Sequence, residues 1–368
     1  MKKKKNAIFI AATGQNVGKT TLCLGIIAAL KKRFSSVGFI KPVGQRHVKV
    51  DGHINVDKDA VLFKQHFQLP THWADISPVI IPSGFTRSYL DQEITEEAML
   101  KTISSSFKTI SSQHPYTVVE GTGHVGVGSI FNLNNARVAA ELNLGIIMIA
   151  SAGLGSAYDE LALNIAMCKH YGVAIQGVIL NRVMDSKRQM IMDYFPKTLK
   201  KWKIPLLGCV PYSEMLSNPT MVDFETLFET NLLSGHEHHY RNFDHIRLVA
   251  GSLEAYEAEM QANELVITPA SRDDIIAKIV LQHHISAKEK SKGTAGGIIL
   301  TSKQAPSDQT IKLLKTVDIP VLYTPLCSYD VMKIITSFTA KIRTEDHPKI
   351  NRAIKLVEEN IDFRFILQ

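Results

Sequence analysis

The sequence has few cysteines and no long apolar run, and each absence excludes a class of protein. Its four cysteines, among 368 residues, are far apart and form no C-x-x-C pair. This excludes a disulfide framework and a cysteine-based zinc site, and it favours reduced thiols in a cytoplasm. The longest uninterrupted apolar run, Leu144–Ala150, is far shorter than the roughly 20 residues of a membrane-spanning helix. We therefore expect a cytoplasmic protein with no membrane partner.

The charge excess is too small to indicate a nucleic-acid-binding protein. Lys and Arg number 42 against 35 Asp and Glu, which gives a formal net charge of +7. Four of these charges lie in the tail Lys2–Lys5, so the remainder of the chain carries only +3. A nucleic-acid partner would require a basic stripe on the fold itself, and no other segment concentrates Lys and Arg. The tail and the apolar stretch Ala7–Ala12 that follows are too short for a cleaved signal peptide.

What the sequence does contain is the pattern of an α/β protein. Hydrophobic residues make up 45% and charged residues 21%, which excludes a mostly disordered chain. In the first two hundred residues, short β-branched runs alternate with helical patterns such as Lys19–Phe34 and Asp159–Tyr171. Because the runs are continuously apolar, we predict strands buried on both faces of a doubly wound, mostly parallel sheet. The predicted strands are Ala7–Ala11, Val37–Lys41, Tyr116–Glu120, Gly145–Ala150, Ile175–Asn181 and Leu206–Val210.

A second, smaller α/β domain follows a break in this alternation. The length suggests two domains, and the polar stretch Ser234–His245 has the composition of a linker. Its histidines resemble a metal-binding tract, but they lack rigid spacing and a cysteine, so we predict a solvated hinge. The predicted boundaries are a first domain over residues 1–225, a linker over 226–245, and a second domain over 246–368 that ends in a helix over Pro348–Asn360.

The segment between the first predicted strand and the first predicted helix has the pattern of a phosphate-binding loop. Backbone N–H groups and the helix N-terminus offer positive partial charge to phosphates, and Gly18 permits close approach of the backbone. Lys19 is predicted to reach the β- and γ-phosphates and the Thr20 hydroxyl to bind Mg²⁺. Thr13 stands where the standard pattern has Gly, and the alternative interpretation is an ordinary strand–helix turn. The predicted nucleotide-binding residues of the loop are Thr13, Gly14, Gln15, Asn16, Val17, Gly18, Lys19, Thr20 and Thr21.

Charged residues at the ends of other predicted strands complete the predicted site. Glu120 ends an apolar strand, and a carboxylate there lies at the carboxyl edge of the sheet, where ligands bind in open α/β folds. Asp57 and Asp59 are further candidates for metal binding, with an ordinary helix start as the alternative. Lys41 closes the second predicted strand and is expected at the same edge, facing an anionic substrate or the transferred phosphate; the alternative is a surface lysine.

These motifs, in this order, resemble those of the dethiobiotin synthetase family of P-loop proteins. The matching segments are Thr13–Thr20, Lys41-Pro42-Val43, Asp59-Ala60, Val119–Gly123 and Asn181-Arg182. The resemblance implies a P-loop NTPase fold that binds ATP and Mg²⁺, with Thr20, Asp59 and Glu120 as metal ligands. It also implies that Asn181 contacts the purine base, that Lys19 and Lys41 are the catalytic residues, and that the protein is a homodimer.

A resemblance over nearly the whole chain is to the N-terminal, non-catalytic part of long bacterial phosphate acetyltransferases and their stand-alone relatives. These join a dethiobiotin-synthetase-like domain to a DRTGG domain. The supporting segments are Glu120–Ser129, Gly153–Leu161, Gly208–Tyr212, Val266–Asp274, Gly296–Thr301 and Lys341–Asp346. The resemblance covers no acetyltransferase catalytic domain, so acetyl transfer is not predicted.

Departures from both patterns bear on the substrate more than on the nucleotide. Gly14 replaces the Asp of the synthetase loop, and it also stands where partitioning ATPases of the ParA and MinD type carry a signature lysine. The loop after Glu120 carries His124 and extra glycines, and the DRTGG signature Gly-Asp-Arg reads Ala270-Ser271-Arg272. His124 is equally compatible with a substrate contact and with a surface position. Two hypotheses remain: ATP-dependent phosphoryl transfer to a carboxylate or carbamate, or a regulatory nucleotide sensor acting through the DRTGG domain.

Overall fold

The computed structural model describes residues 6–288 and 295–366, and the chain forms two compact units. The first unit comprises the chain up to Tyr212 together with the segment from Ile342 onward. The second unit is Ser213–Lys341. Among the helices of these described residues, none combines the length and the apolar character needed to cross a membrane.

The first unit is built on a six-stranded sheet. Its strands and helices up to Tyr212 are β1 (Ala7–Ala12), α1 (Lys19–Lys31), β2 (Val37–Ile40), β3 (Val43–Gly44), β4 (His47–Val50), β5 (Ile54–Asp57), α2 (Lys58–Phe67), α3 (Trp73–Ile76), β6 (Val79–Ile80), α4 (Phe85–Leu90), α5 (Glu96–Gln113), β7 (Tyr116–Glu120), α6 (Asn135–Leu142), β8 (Ile146–Ser151), α7 (Gly155–His170), β9 (Ile175–Val183), α8 (Asp185–Leu199) and β10 (Leu206–Pro211). The strand order is β10-β9-β8-β1-β7-β2, and every neighbouring pair is parallel. The predicted doubly wound parallel sheet is thereby confirmed.

Apolar side chains bury both faces of this sheet, as the continuous apolar runs predict. Phe9 and Ala11 of β1 share one apolar cluster with helices α5, α6, α7 and α8. Helix α1 contacts β1, β2 and β7 through buried residues outside that cluster, such as Leu22 and Ile26. Two small pairings were not predicted: the antiparallel hairpin of β4 and β5, and the parallel contact of β3 with β6.

The second unit repeats the layered arrangement around a five-stranded sheet. Its elements are α9 (Glu214–Ser217), α10 (Met221–Phe228), β11 (Leu232–Ser234), β12 (His245–Leu248), α11 (Leu253–Ala258), β13 (Glu264–Pro269), α12 (Asp273–Lys288), β14 (Ala295–Thr301), α13 (Asp308–Leu314), β15 (Val321–Tyr323) and α14 (Ser328–Ser337). The order is β11-β15-β14-β13-β12, in which only β11 is antiparallel to its neighbour. Helices α11, α12 and α13 share one apolar cluster with the sheet, and α10 and α14 share another. The expected second α/β domain is therefore present.

The structure divides the chain differently from the predicted boundaries. The second unit starts at Ser213, because Met221, Phe224 and Phe228 of α10 recur on one helix face and pack into its core. The predicted linker 226–245 also contains β11, which pairs with β15 at the edge of the second sheet. The histidines of the predicted hinge fall partly in a single helical turn, His236–His238.

The C-terminal helix α15 (His347–Asn360) belongs to the first unit, not to the second as predicted. It packs against α1, where Gly25 makes room for it: a Cβ at Gly25 would lie 2.2 Å from the Cβ of Val357. Beyond the helix, Ile361 forms an antiparallel bridge with Gly208 of β10. The apolar face of α15 thus buries itself against the phosphate-loop helix, which explains why the chain returns to the first unit.

Candidate functional site

The candidate site lies at the carboxyl ends of β1, β7 and β2, three neighbouring strands of the first sheet. Strand β1 lies between β7 and β8, where the chain changes its direction of winding, and such a point is the usual ligand crevice of an open parallel sheet. Ile10 is level with Glu120 across β1 and β7, and Ile40 is level with Val119 across β2 and β7. Lys41, one residue after Ile40, is therefore brought level with Glu120. The register alone gathers these charged residues beside the loop that follows β1.

The loop after β1 has the backbone of an anion-binding turn. Gly18 adopts a φ of 100° directly before α1, a conformation that residues with a Cβ rarely adopt, and Asn16 is also left-handed at 59°. Helix α1 begins at Lys19 with no side-chain cap and no acidic residue in its first turn. Its first N–H groups are therefore not used by a capping side chain, and they present the positive end of the helix dipole.

Thr13 occupies the position of the missing glycine without backbone strain. Its φ is not positive, and its hydroxyl donates a hydrogen bond of 2.8 Å to Glu160 Oε2 on α7. The Thr13 carbonyl accepts a hydrogen bond of 3.2 Å from Asn164 Nδ2 on the same helix. The side chain is therefore anchored to α7, which explains how this loop dispenses with glycine at its first position.

Asn181, predicted to contact the purine base, is held against the phosphate loop. It is buried, and its Nδ2 donates a hydrogen bond of 2.8 Å to the carbonyl of Val17. The side chain passes so close to Gly18 that a Cβ there would lie 2.2 Å from Asn181 Nδ2. Gly18 is thus required by two features at once, its positive φ and the passage of this amide.

A buried cluster of charges connects the ends of β2 and β7 with the start of α2. The Nζ of Lys41 donates to Glu120 Oε1 at 3.0 Å and to Asp59 Oδ2, and it lies 3.8 Å from Asp57 Oδ1. Asp57 also caps α2 by accepting a hydrogen bond of 2.9 Å from the Asp59 backbone. The helix-start interpretation of these aspartates is therefore confirmed, and both carboxylates also face a buried lysine. The surface-lysine alternative for Lys41 is excluded, because its side chain is only 5% exposed.

Burial and neighbouring charges shift the pKa values in this cluster. Burial alone would lower the pKa of Lys41, but the carboxylates of Asp59, Glu120 and Asp57 outweigh it and hold that pKa well above its usual value. Burial raises the pKa of the Glu120 carboxyl, opposed by Lys41. Burial lowers the pKa of the Lys19 ammonium to about 8, and the Glu120 carboxylate, which favours the charged form, opposes this effect only in part. The site therefore holds two lysines in a dry, carboxylate-rich environment, which suits the binding of a polyanion with a cation.

The predicted Mg²⁺ ligands all offer oxygen atoms, and two of them share a lysine partner. Thr20 Oγ1 donates to Glu120 Oε1 at 3.2 Å, and the Lys41 ammonium bridges the carboxylates of Glu120 and Asp59. Glu120 is fully buried, and its Oε2 has no hydrogen-bond partner among the residues that the structure describes. A hydroxyl and carboxylates are the hard ligands that Mg²⁺ prefers, so the residues fit the ion. No group of three or more His, Cys, Asp and Glu side chains in the described part of the chain is arranged to hold a metal by itself.

The loop after β7, residues 121–128, is held in place by side chains that the sequence did not single out. Asn135 Oδ1 accepts from the Thr122 backbone at 3.0 Å, and Asn135 Nδ2 donates to the carbonyls of Thr122 and His124 at 2.9 Å each. Lys19 Nζ donates a hydrogen bond of 2.6 Å to the Gly123 carbonyl. His124 itself is exposed, and its Nδ1 accepts a hydrogen bond of 3.1 Å from the Gly126 backbone. We call residues 121–128 the glycine-rich loop.

Comparison with protein families assigns the unit that contains this site. The family model AAA_26, described as an AAA domain, matches residues 6–220. The chain belongs to this family. The matched range contains the phosphate loop, Lys41, Asp59, Glu120 and the glycine-rich loop of the AAA domain, but not α15. A second model, described as a DRTGG domain, matches residues 226–338.

Curated relatives support both parts of the predicted resemblance. Over 97% of its length this AAA-domain chain is 25% identical to a phosphate acetyltransferase of Nitrosomonas europaea, of which it covers 50%. It is also 25% identical to the ATP-dependent dethiobiotin synthetase BioD of Nitrosopumilus maritimus, over 61% of this chain and 96% of that protein. A solved ParA family ATPase from Chlorobium tepidum TLS is similar over 57% of this chain and 86% of its own, at 16% identity and a TM-score of 0.36. The chain spans about half the length of the phosphate acetyltransferases that it matches.

Proposed function

We propose that the first unit binds ATP with Mg²⁺ and transfers the γ-phosphoryl group to a carboxylate or carbamate. The observation that carries the proposal is the cluster of buried Lys19, Lys41 and Glu120 with the partly buried Thr20 and Asp59, beside the uncapped N-terminus of α1. Phosphoryl transfer requires positioning and charge stabilisation more than covalent participation by the protein, and this cluster offers both. The similarity to an ATP-dependent dethiobiotin synthetase supports the same reaction class.

Each residue of the cluster has a separate proposed role. The backbone of Thr13–Thr21 surrounds the phosphates, and Lys19 neutralises charge on the β- and γ-phosphates. Thr20, Asp59 and Glu120 hold Mg²⁺, which when bound neutralises phosphate charge. Asn181 keeps Nδ2 on the Val17 carbonyl, and its Oδ1 accepts from the amino group of adenine.

Lys41 is the residue proposed to serve the acceptor. An oxygen of the acceptor carboxylate or carbamate attacks the γ-phosphorus, the bond to the β–γ bridging oxygen breaks, and ADP leaves with the electron pair. The product is a mixed anhydride. The Lys41 ammonium, held charged by its carboxylate neighbours, stabilises the negative charge spread over the transferred group.

Nucleotide binding and turnover test this proposal separately. Purified protein is titrated with ATP in the presence and absence of Mg²⁺ by calorimetry, and phosphate release is then followed with carboxylates, or with amines plus bicarbonate. We expect Mg²⁺-dependent ATP binding that Lys19→Ala weakens, and release that an acceptor stimulates. Normal ATP binding by Lys19→Ala would refute the role of the loop, and a matched Lys32→Ala variant at the exposed pair with Glu358 controls for loss of a lysine.

A regulatory nucleotide sensor is the second candidate, and one observation favours it. The second unit matches a DRTGG domain, and the alignment with phosphate acetyltransferases covers half of their length. In this alternative, ATP binds in the first unit and the DRTGG unit reports the occupied state to a partner or ligand. Tight ATP binding with no phosphate release under any acceptor condition would favour the sensor over the enzyme.

The proposal extends to a cytoplasmic homodimer that binds neither nucleic acid nor membrane. It follows from the synthetase resemblance, in which two subunits build the site together, and from the modest charge of the chain outside its lysine tail. Sedimentation at micromolar protein concentration, with and without Mg-ATP, tests it. A monomer under both conditions would refute the dimer without affecting nucleotide binding.

A further inference from the structure

We infer that Asn164 is a positioning residue that joins the phosphate loop to the glycine-rich loop and so sets the preference of the site for ATP over ADP. The inference rests on the proposed nucleotide binding, and it deepens it by naming what distinguishes the two nucleotides. Asn164 lies on α7, far in sequence from both loops, and it is not among the residues predicted to touch the nucleotide.

The Asn164 amide makes hydrogen bonds in two directions. Its Oδ1 accepts from the Val125 backbone at 3.1 Å, inside the glycine-rich loop. Its Nδ2 donates to the Thr13 carbonyl at 3.2 Å, at the start of the phosphate loop, and to the Glu160 carbonyl of its own helix at 2.8 Å. The side chain is buried, so water does not readily replace these bonds. One amide therefore links two loops that follow different strands.

Lys19 makes that separation relevant to the phosphates. It belongs to the phosphate loop, yet its Nζ donates to the Gly123 carbonyl in the glycine-rich loop at 2.6 Å. Lys19 is the residue proposed to contact the β- and γ-phosphates, and Glu120 directly precedes the glycine-rich loop. The space for the γ-phosphate is consequently bordered by both loops, whereas the phosphates of ADP depend mainly on the loop after β1.

The glycine-rich loop is also hydrogen-bonded to α6, so Asn164 has a defined partner. Asn135 holds the backbone of Thr122 and His124, and a Cβ at Gly121 would lie 2.6 Å from Asn135 Oδ1. The Asn135 backbone in turn donates to the Val125 carbonyl at 2.9 Å. With the loop also held by Asn135 of α6 and by Lys19, removal of the Asn164 amide breaks the link between Val125 and the start of the phosphate loop. ATP should then lose affinity and ADP should not.

A purely structural role for Asn164 predicts a different result. It would lower the stability of the first unit, and it would weaken both nucleotides together or neither. Asn134 provides the matched control, because it is a fully buried asparagine whose side chain bonds to Tyr171 Oη and the Arg137 backbone and to neither loop.

The test measures the affinity of full-length protein for ATPγS and for ADP, both with Mg²⁺, by calorimetry. For Asn164→Ala we expect ATPγS binding about tenfold weaker, the loss of a buried hydrogen-bonded link, with ADP binding unchanged. Asn134→Ala should lower the melting temperature and leave the ratio of the two affinities as in the wild type. Asn164→Asp keeps the shape and the acceptor for Val125 but loses the donor for Thr13, so it should show the same selective loss, and it serves if the alanine variant does not fold.

The outcomes separate this inference from the proposed function. Equal weakening of ATPγS and ADP in both Asn164 variants, or no change in either, would overturn the positioning role while nucleotide binding stands. Wild-type protein that binds neither nucleotide would overturn the proposed function itself and this inference with it.

Discussion

Lys41→Met is the substitution that tests the electrostatics of the site most directly. Methionine keeps the apolar stem of the lysine and removes only its charge and its hydrogen bonds. In the wild type the ammonium faces Glu120 and Asp59 at hydrogen-bonding distance and Asp57 at 3.8 Å. In the variant these carboxylates lose this ammonium, while Lys19, which interacts with Glu120 and Asp59, remains hydrogen-bonded to a backbone carbonyl.

The expected loss of stability is large because the cluster is dry. The Glu120 side chain is fully buried, and those of Asp57 and Lys41 are about as inaccessible, so water screens little of the repulsion. Removing one partner of a buried ion pair costs about 3–5 kcal/mol, and we expect a loss in this range for the first unit. The same change at Lys32, which pairs with Glu358 at the surface, should cost at most about 1 kcal/mol.

Urea unfolding followed by tryptophan fluorescence isolates the relevant unit. The chain has two tryptophans, Trp73 and Trp202, and both lie in the first unit. Trp73 lies under the Lys64 ammonium and Trp202 stacks on Tyr158, so both environments change on unfolding. The midpoint and slope of this transition give the free energy of unfolding of the first unit without a contribution from tryptophan in the second.

A double-mutant cycle with Glu120→Gln decides whether charge is the cause. If repulsion among the carboxylates destabilises Lys41→Met, neutralising one of them should restore part of the lost stability. The double variant should therefore lose about 0.5–3 kcal/mol less free energy of unfolding than the two single variants lose together. Strictly additive effects, or a Lys41→Met protein as stable as Lys32→Met, would refute the electrostatic reasoning.

Three further predictions concern thiols and close packing in the first unit and beyond. With a thiol reagent, one of the four cysteines should react rapidly in the native protein, because only Cys327 is exposed and burial raises the pKa of the other three thiols. Cys327→Ser should remove this rapid reaction. Gly25→Ala should destabilise the first unit by about 1–3 kcal/mol, because the added methyl group would overlap Val357. In the same unfolding assay, Val357→Gly should lower the free energy of unfolding less in the Gly25→Ala protein than in the wild type. Gly18→Ala should cost about 1–2 kcal/mol from its positive φ and should abolish nucleotide binding by displacing Asn181, whereas unchanged affinity in calorimetry would contradict the geometry of the loop.

The sheet could be predicted because its strands carry a strong and local signal. Strands buried on both faces need mainly apolar sequences, and β1, β7 and β8 are each mainly apolar and buried. The gathering of Lys41 and Glu120 also follows, since both residues come at the carboxyl ends of parallel strands. Which strands are neighbours did not follow: β2 lies beside β7 and not beside β1, and no local pattern in either strand specifies its neighbour.

The supporting residues of the site could not be predicted, because they act through backbone groups of distant segments. Asn135 and Asn164 lie in helical patterns where an asparagine has no characteristic spacing, and each bonds to loop atoms that any residue would present. A motif identifies residues that touch a ligand, since ligand chemistry restricts their type. It carries no such restriction for a side chain that holds a main chain in place.

Helix α15 shows the same limit at the level of domains. Its buried positions Ile350, Ala353, Leu356 and Val357 recur with helical spacing, which identifies the buried face but not what covers it. The partner surface is the part of α1 around Gly25, a residue whose requirement becomes visible only beside Val357. Because α1 also begins at the phosphate loop, α15 packs on the helix whose N-terminus is proposed to face the nucleotide. A fragment restricted to residues 6–220 would lack α15 and would therefore expose the apolar face of α1 around Gly25, so the AAA-domain match alone understates what the first unit requires.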